Sequence, residues 1–120
     1  MNRRRHNYTN LKIWEMGFDI SKRVPDVLDS FPKHERYDLT SQMSRCSISM
    51  PSNISEGSAR SDKAFSNHID IALGSSFELG TQLLIAAHKN YIDNITLEEL
   101  EATIAEWQKM TMGFQNALLT

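Results

Sequence analysis

The sequence contains few residues that interrupt regular secondary structure. Its 120 residues include three prolines and five glycines. An all-β protein needs a turn about every 8–12 residues, and such turns are usually built from glycine, proline and small polar residues. The scarcity of proline and glycine therefore disfavours a β-sandwich or β-barrel and favours long helices. The length fits one domain, and the hydrophobic fraction of 40% supplies one modest core.

The sequence also has little cysteine and no long apolar run. Its single cysteine, Cys46, has no partner for an internal disulfide. No apolar run approaches the roughly 18 residues that a transmembrane helix needs. The N-terminal arginines are not followed by the apolar segment that a signal peptide carries. Together these features predict a cytoplasmic protein.

A large excess of positive charge is absent, although the charge is unevenly distributed. The net charge is −2; residues 1–63 carry a net +3 and residues 64–120 a net −5. Nucleic-acid-binding domains are usually strongly basic. The main candidates for nucleic-acid contact are therefore Arg3, Arg4 and Arg5, within a flexible basic tail at residues 1–9. The simpler interpretation of these arginines is a solvated tail without a partner.

Apolar residues recur at steps of three and four in four segments, which is the period of an amphipathic helix. Short polar loops separate the segments. We therefore predict a single all-α domain at residues 10–120, an antiparallel up-down four-helix bundle with kinks near Pro25 and Pro51. Thr96 and Glu99 form a capping box that would start the last helix. The expected helices are 10–30, 34–58, 62–90 and 96–118.

The third segment carries more apolar surface than one buried face requires. Its seam repeats in steps of four and three, as in a coiled coil, and runs through Phe65, Ile69, Ala72, Ser76, Leu79, Leu83 and Ala86. A second stripe, which includes Leu73, Phe77 and Leu84, lies to one side of this seam. The first segment also has two apolar stripes. We expect the second stripe of the third helix to be an oligomer face, since a bundle helix needs only one buried face.

No combination of residues indicates catalysis or metal binding. No glutamate is followed by a histidine three residues later, the pair that di-iron bundles use. Phosphate-binding loops, nucleophile elbows and zinc-protease motifs are also missing. We therefore expect no enzymatic activity, no cofactor and no metal.

One polar group needs an explanation. Gln42 and Arg45 in the second helix, and Glu78 and Gln82 in the third, recur at helical spacing. If these faces meet, Arg45 and Glu78 would pair inside the bundle and fix the register of the two helices. The alternative is a polar surface that contacts a ligand or another subunit.

Two segments resemble a known family. They are Tyr37–Arg60 and Ile71–Leu83, and the most specific strings are Leu-Thr-Ser-Gln at 39–42 and Pro-Ser-Asn-Ile-Ser-Glu-Gly at 51–57. Both segments resemble the four-helix-bundle proteins encoded in intervening sequences of bacterial 23S rRNA genes, the S23-like family. This family is related in fold to the accessory variability proteins of diversity-generating retroelements. The resemblance covers nearly the whole chain.

The resemblance implies a homo-oligomeric ring, commonly a pentamer, with a role in binding RNA or DNA or a nucleic-acid enzyme, and it supplies no catalytic residues. We therefore predict a non-enzymatic oligomeric binding or scaffold protein associated with RNA or nucleic-acid processing. The alternative is a protein–protein adaptor for a partner such as a reverse transcriptase, without nucleic-acid affinity of its own. The acidic second half of the chain favours this alternative.

Overall fold

The computed structural model describes residues 7–120, which form four long helices and no β-strand. Two 3-10 helices, Tyr8–Asn10 and Lys33–Glu35, precede α1 and α2 respectively. The predicted all-α fold is confirmed. The long helices are α1 (Lys12–Leu28), α2 (Leu39–Ser58), α3 (Asp62–His88) and α4 (Asn94–Leu118).

The four helices pack in a closed cycle. Each helix lies against the next one along the chain, and α4 returns to α1. Within residues 7–120, no Cα atom of α1 lies within 8 Å of one in α3, and none of α2 lies within 8 Å of one in α4. Because short connections join successive neighbours, adjacent helices run antiparallel. The α1–α2 side of the bundle is therefore opposite the α3–α4 side.

The helix ends differ from the sequence-based boundaries. The segment at 34–38 is not the start of α2, because a 3-10 helix occupies residues 33–35 and the backbone of Asp38 (φ −127°, ψ −104°) is not helical. The capping-box prediction for α4 was also wrong. Asp93 caps this helix, and its Oδ1 accepts a hydrogen bond of 2.7 Å from the backbone N–H of Thr96. Helices α1 and α2 continue through Pro25 and Pro51, and the kinks expected there remain a prediction.

The core follows the predicted seam of α3, and Trp107 connects three helices at its centre. The six apolar residues of that seam are all buried, as is Trp107. The indole N–H of Trp107 donates a 2.7 Å hydrogen bond to the carbonyl oxygen of Ile13. This contact needs Gly17, since a Cβ there would lie 3.2 Å from Trp107 Nε1 and 3.4 Å from the nitrogen of Pro51. Helices α1, α2 and α4 therefore meet closely around one indole ring.

A buried carboxylate fastens the two loops at one end of the bundle. Glu35, in the α1–α2 connection, is 4% exposed. Its Oε2 accepts a hydrogen bond of 2.8 Å from the hydroxyl of Tyr91 and one of 3.1 Å from Nζ of Lys89. These bonds, from Tyr91 first and Lys89 second, hold the pKa of Glu35 below its usual value. The α3–α4 loop, in which Asn90 adopts φ 63°, is thus tied to the α1–α2 connection.

Candidate interaction surfaces

An open groove of about 310 Å³ runs between α3 and α4. Phe77 and Leu84, two residues of the expected oligomer face, line it and are 54% and 53% exposed. Leu73, the third, does not belong to this surface, because it is buried in the core with 8% exposure. At about 100° per residue, Leu73 is turned about 40° further toward the core than Phe77. The groove is lined by Ser76, Phe77, Gly80, Thr81, Leu84, Glu101, Ile104, Ala105 and Gln108.

Gly80 leaves open space in the wall of this groove. A Cβ built on Gly80 would meet no described atom within 4 Å. A glycine in the interior of a helix destabilises it by about 0.5–1 kcal/mol relative to alanine. No close packing among the described residues compensates for this cost at Gly80. The position therefore gives another molecule room to approach the helix backbone.

Two glutamines fix the spacing of the helices that form the groove. Gln108 donates to Ser76 Oγ at 2.9 Å. Nearer the C-terminus of α4, Gln115 Nε2 donates to the carbonyl oxygen of Ser66 at 3.0 Å and to Oδ1 of Asp70 at 2.8 Å. Because these bonds cross from α4 to α3 at two levels, the groove is preformed.

A second exposed apolar surface is a row of aromatic rings, which we call the aromatic ridge: Tyr8, Trp14 and Phe18. Trp14 and Phe18 are stacked with their centroids 4.9 Å apart and 9° between their planes, and Tyr8 meets Trp14 edge-on at 5.3 Å. Nζ of Lys22 lies 4.7 Å from the centroid of Phe18, a cation–π contact. Tyr8 and Phe18 are 39% and 41% exposed. The sequence predicted an apolar stripe here, but not the contribution of Tyr8, which it assigned to the flexible tail.

The aromatic ridge lies on the α1–α2 side of the bundle. The 3-10 helix Tyr8–Asn10, which carries its first ring, packs against both α1 and α2. Asn7 caps this 3-10 helix through its Oδ1, which accepts from the backbone N–H of Thr9 at 3.3 Å. The ridge and the α3–α4 groove are therefore on opposite sides of the molecule.

The expected buried cluster of Gln42, Arg45, Glu78 and Gln82 does not form. Only Gln82 is buried, and Arg45 takes part in no ion pair within residues 7–120. Two steps of about 100° carry Arg45 to the face opposite the buried Met43, so it points into solvent. Gln42 instead donates to Oδ1 of Asp38 at 3.2 Å on the exposed surface.

A different polar row joins α2 to α3. Ser75 donates to Ser49 Oγ at 2.8 Å, and Asn53 Nδ2 donates to the same oxygen at 3.0 Å. Nδ1 of His68 lies 3.0 Å from Oδ1 of Asn53. This row fixes the register that the Arg45–Glu78 pair was expected to fix.

Burial, and then the charge of Glu78, raise the pKa of the nearby Cys46 thiol, which opposes the thiolate form that a nucleophile needs.

The remaining sequence predictions concern metal binding, membrane spanning and contact with nucleic acid. Within residues 7–120 there is no cluster of three or more histidine, cysteine or acidic side chains placed to hold a metal ion. In the same range, no helix is long and apolar enough to span a membrane. Arg3, Arg4 and Arg5 lie outside the described residues, so their contact with nucleic acid stays a prediction.

Comparison with known families assigns the chain. The model of the 23S rRNA-intervening sequence protein family matches residues 9–113, which include α1, α2, α3 and most of α4. The chain belongs to this family. A crystal structure of a protein of unknown function from the S23 ribosomal protein family of Bacteroides thetaiotaomicron has the same fold. It is 19% identical, with a TM-score of 0.80 over 87% of this chain and 95% of that one. A search of curated proteins gives no significant match.

Proposed function

We propose that this 23S rRNA-intervening sequence protein is a non-enzymatic, oligomeric scaffold associated with RNA or nucleic-acid processing. The observation that carries the proposal is the preformed α3–α4 groove, where Phe77 and Leu84 are more than half exposed beside the open space at Gly80. Contiguous apolar surface that is rimmed by polar residues is characteristic of protein-binding sites. The groove is therefore the surface through which the scaffold assembles.

The link to nucleic acid rests on the family and on the charge of the first half of the chain. The family description names 23S rRNA. Residues 1–63 carry the net positive charge, and three consecutive arginines stand at 3–5. In an oligomer these arginines are present once per subunit, so individually weak phosphate contacts add. An oligomeric scaffold can thus bind RNA without a strongly basic domain.

The oligomeric state tests the scaffold directly. We expect size-exclusion chromatography with light scattering to give a mass that is a multiple of 13.7 kDa. Leu84→Glu should reduce it to the monomer mass, because it places a charge in the apolar groove. The control is Ile95→Glu, which also replaces an exposed isobutyl-sized side chain but lies outside the groove and is 70% exposed. A monomeric wild-type protein at the highest soluble concentration would refute the scaffold.

Salt-dependent binding tests the nucleic-acid role. Fluorescence anisotropy with structured RNA and with duplex DNA should show an affinity that falls as salt rises, because phosphate contacts release counterions. Replacing Arg3, Arg4 and Arg5 by alanine should flatten that dependence. If neither nucleic acid binds at low salt, the direct role in nucleic-acid binding is wrong and the adaptor candidate remains.

The adaptor candidate is favoured by the acidic surface of α4. Helix Asn94–Leu118 carries four glutamates and one lysine, and this excess of negative charge opposes binding of phosphates along this side. An adaptor for a nucleic-acid enzyme should retain its protein partner after nuclease treatment of the lysate. Loss of the partner on nuclease treatment would contradict the adaptor and support contact through RNA.

A further inference from the structure

We propose that a cavity between α1 and the start of α4 binds a basic segment of a partner protein, with one arginine or lysine side chain inside the cavity. The cavity has a volume of about 470 Å³ and is lined by the C-terminal part of α1, the α3–α4 loop and the first turn of α4. Volumes of this size are typical of ligand sites. The inference gives the adaptor candidate a binding site and does not rest on assembly through the α3–α4 groove.

Two carboxylates give the cavity its negative charge. Asp26 and Asp93 both line it. Asp26 is exposed and takes part in no ion pair within residues 7–120. Hydrogen bonds from the backbone N–H and then the side chain of Thr96 hold the pKa of Asp93 below its usual value, so this carboxylate is ionised at neutral pH. As the N-cap of α4, it also offsets the partial positive charge of the helix N-terminus.

The cations beside the cavity are already paired. Arg23 lines the cavity, but its Nη2 donates to Oε2 of Glu99 on α4. Lys89, whose Nζ lies 5.9 Å from the ring centroid of Tyr91, donates to the buried Glu35. The last turn of α1 contains no basic residue, although the C-terminal end of a helix favours a positive charge. The cavity therefore favours a cation that another molecule supplies.

The apolar part of the cavity suits the stem of a long basic side chain. Val27 and Ile92 line it, and both are half-buried against the core. Arginine and lysine bury their methylene stems along apolar surface while the charged end stays among polar groups. The ring of Tyr91 is held by the bond from its hydroxyl to Glu35 and by Phe31, with 5.1 Å between the ring centroids. The cavity is therefore preformed.

The negative charge continues beyond the cavity along α4, which favours a segment over a single small cation. Glu98 and Glu106 are exposed on this helix, whose four glutamates face one lysine. A segment with several basic residues can place one side chain in the cavity and others over this surface, whereas a small amine uses the cavity alone. We therefore expect the segment to bind more tightly.

Fluorescence anisotropy with short labelled peptides tests the site. The probe alternates arginine with serine, and the matched peptide carries glutamate in place of every arginine. Only the basic peptide should bind, with an affinity that falls as salt rises. N-acetylarginine amide, which has a single guanidinium, should displace the probe only at a much higher concentration than the unlabelled basic peptide does.

Removal of single carboxylates locates the binding. Asp26→Asn and Asp93→Asn should each weaken binding about fivefold, the effect of one exposed ion pair. Asparagine caps a helix about as well as aspartate, so Asp93→Asn should remain folded. Asp29→Asn is the matched control, because it removes the same charge three residues after Asp26 but outside the cavity. Ser30→Lys, at an exposed position of the lining, should block the cavity with a cation of the chain itself. Circular dichroism checks that each variant remains helical.

The outcomes separate this site from the scaffold. If Asp29→Asn weakens binding as much as Asp26→Asn, the peptide binds through the overall negative charge and the cavity is the wrong site. Equal competition by N-acetylarginine amide and the unlabelled peptide would overturn the basic segment as the occupant, and so would a basic peptide that fails to bind at low salt. Asp26→Asn should match the wild type in light scattering, and Leu84→Glu should still bind the peptide, so the two proposals fail independently.

Discussion

Gly57 is the glycine at which an added methyl group should destabilise the bundle most. It lies near the C-terminus of α2, where that helix crosses the first turns of α3. In Gly57→Ala, the new Cβ would lie 2.6 Å from Cδ1 of Phe65, 2.9 Å from Cβ of His68 and 3.3 Å from Cα of Phe65. Phe65 is fully buried against the tilted ring of Phe114, with 5.4 Å between the centroids. The ring has little room to move, so α2 and α3 must separate.

The expected cost follows from two opposing effects. Overpacking a filled core destabilises a protein by about 1–3 kcal/mol. Exchanging glycine for alanine within a helix returns up to about 1 kcal/mol. We therefore expect Gly57→Ala to lower the free energy of unfolding by about 1–2 kcal/mol, which corresponds to a Tm lower by about 4–8 °C for a domain of this size.

Guanidinium denaturation followed by circular dichroism measures this difference, at a protein concentration where the oligomeric state is the same for all variants. Gly74→Ala is the matched control. It makes the same replacement in an exposed helical position where the new Cβ meets nothing within 4 Å, so it should raise stability by about 0.5–1 kcal/mol. The steric argument fails if Gly57→Ala is as stable as the wild type while Gly74→Ala shows its gain.

Three further predictions concern buried polar groups. The hydroxyl of Thr111 is buried with no hydrogen-bond partner among the described residues, so Thr111→Val should stabilise the protein by about 1 kcal/mol in urea denaturation; a loss of similar size would indicate a bound water. Trp107→Phe removes the bond to Ile13 and part of the core volume, and should lower the unfolding free energy by about 2 kcal/mol in the same assay, whereas an unchanged midpoint would contradict the central role of the indole. The lowered pKa of Glu35 stabilises the fold above its unfolded value of about 4.5, and this stabilisation is lost as pH falls through the folded pKa. At about pH 7, Glu35→Gln should therefore have a lower free energy of unfolding than the wild type. Between about pH 5 and pH 3, the free energy of unfolding of the variant should depend less on pH than that of the wild type, as measured by urea titrations across this range.

The sequence predicted the parts of the fold that depend on periodicity alone. The seam of α3 is regular over 22 residues from Phe65 to Ala86, and each of its apolar members is buried. Periodicity does not say how far a flanking residue is turned toward its neighbour. Leu73 was therefore placed on the surface although it is buried in the core, and Arg45 was placed inside although it is exposed.

Local competition explains the remaining differences. Asp93 and Thr96 are both good capping residues, and in the structure Asp93 takes the cap by accepting from the backbone N–H of Thr96, so that α4 begins at Asn94. The ridge could not be predicted because Tyr8 belongs to a polar segment without a helical period. Its ring joins Trp14 only after the 3-10 helix turns it back onto α1.

The two tryptophans of the chain differ in exposure and provide two separate optical probes. Trp107 is fully buried in the core, while Trp14 forms part of the ridge. The emission of Trp107 should therefore report unfolding and resist quenching by iodide. In Trp107→Phe, the half-buried Trp14 remains as the single emitter, so a fall in its quenching by iodide would report any molecule that covers the aromatic ridge. One chain thus reports both its folding and the covering of its α1 surface without any attached dye.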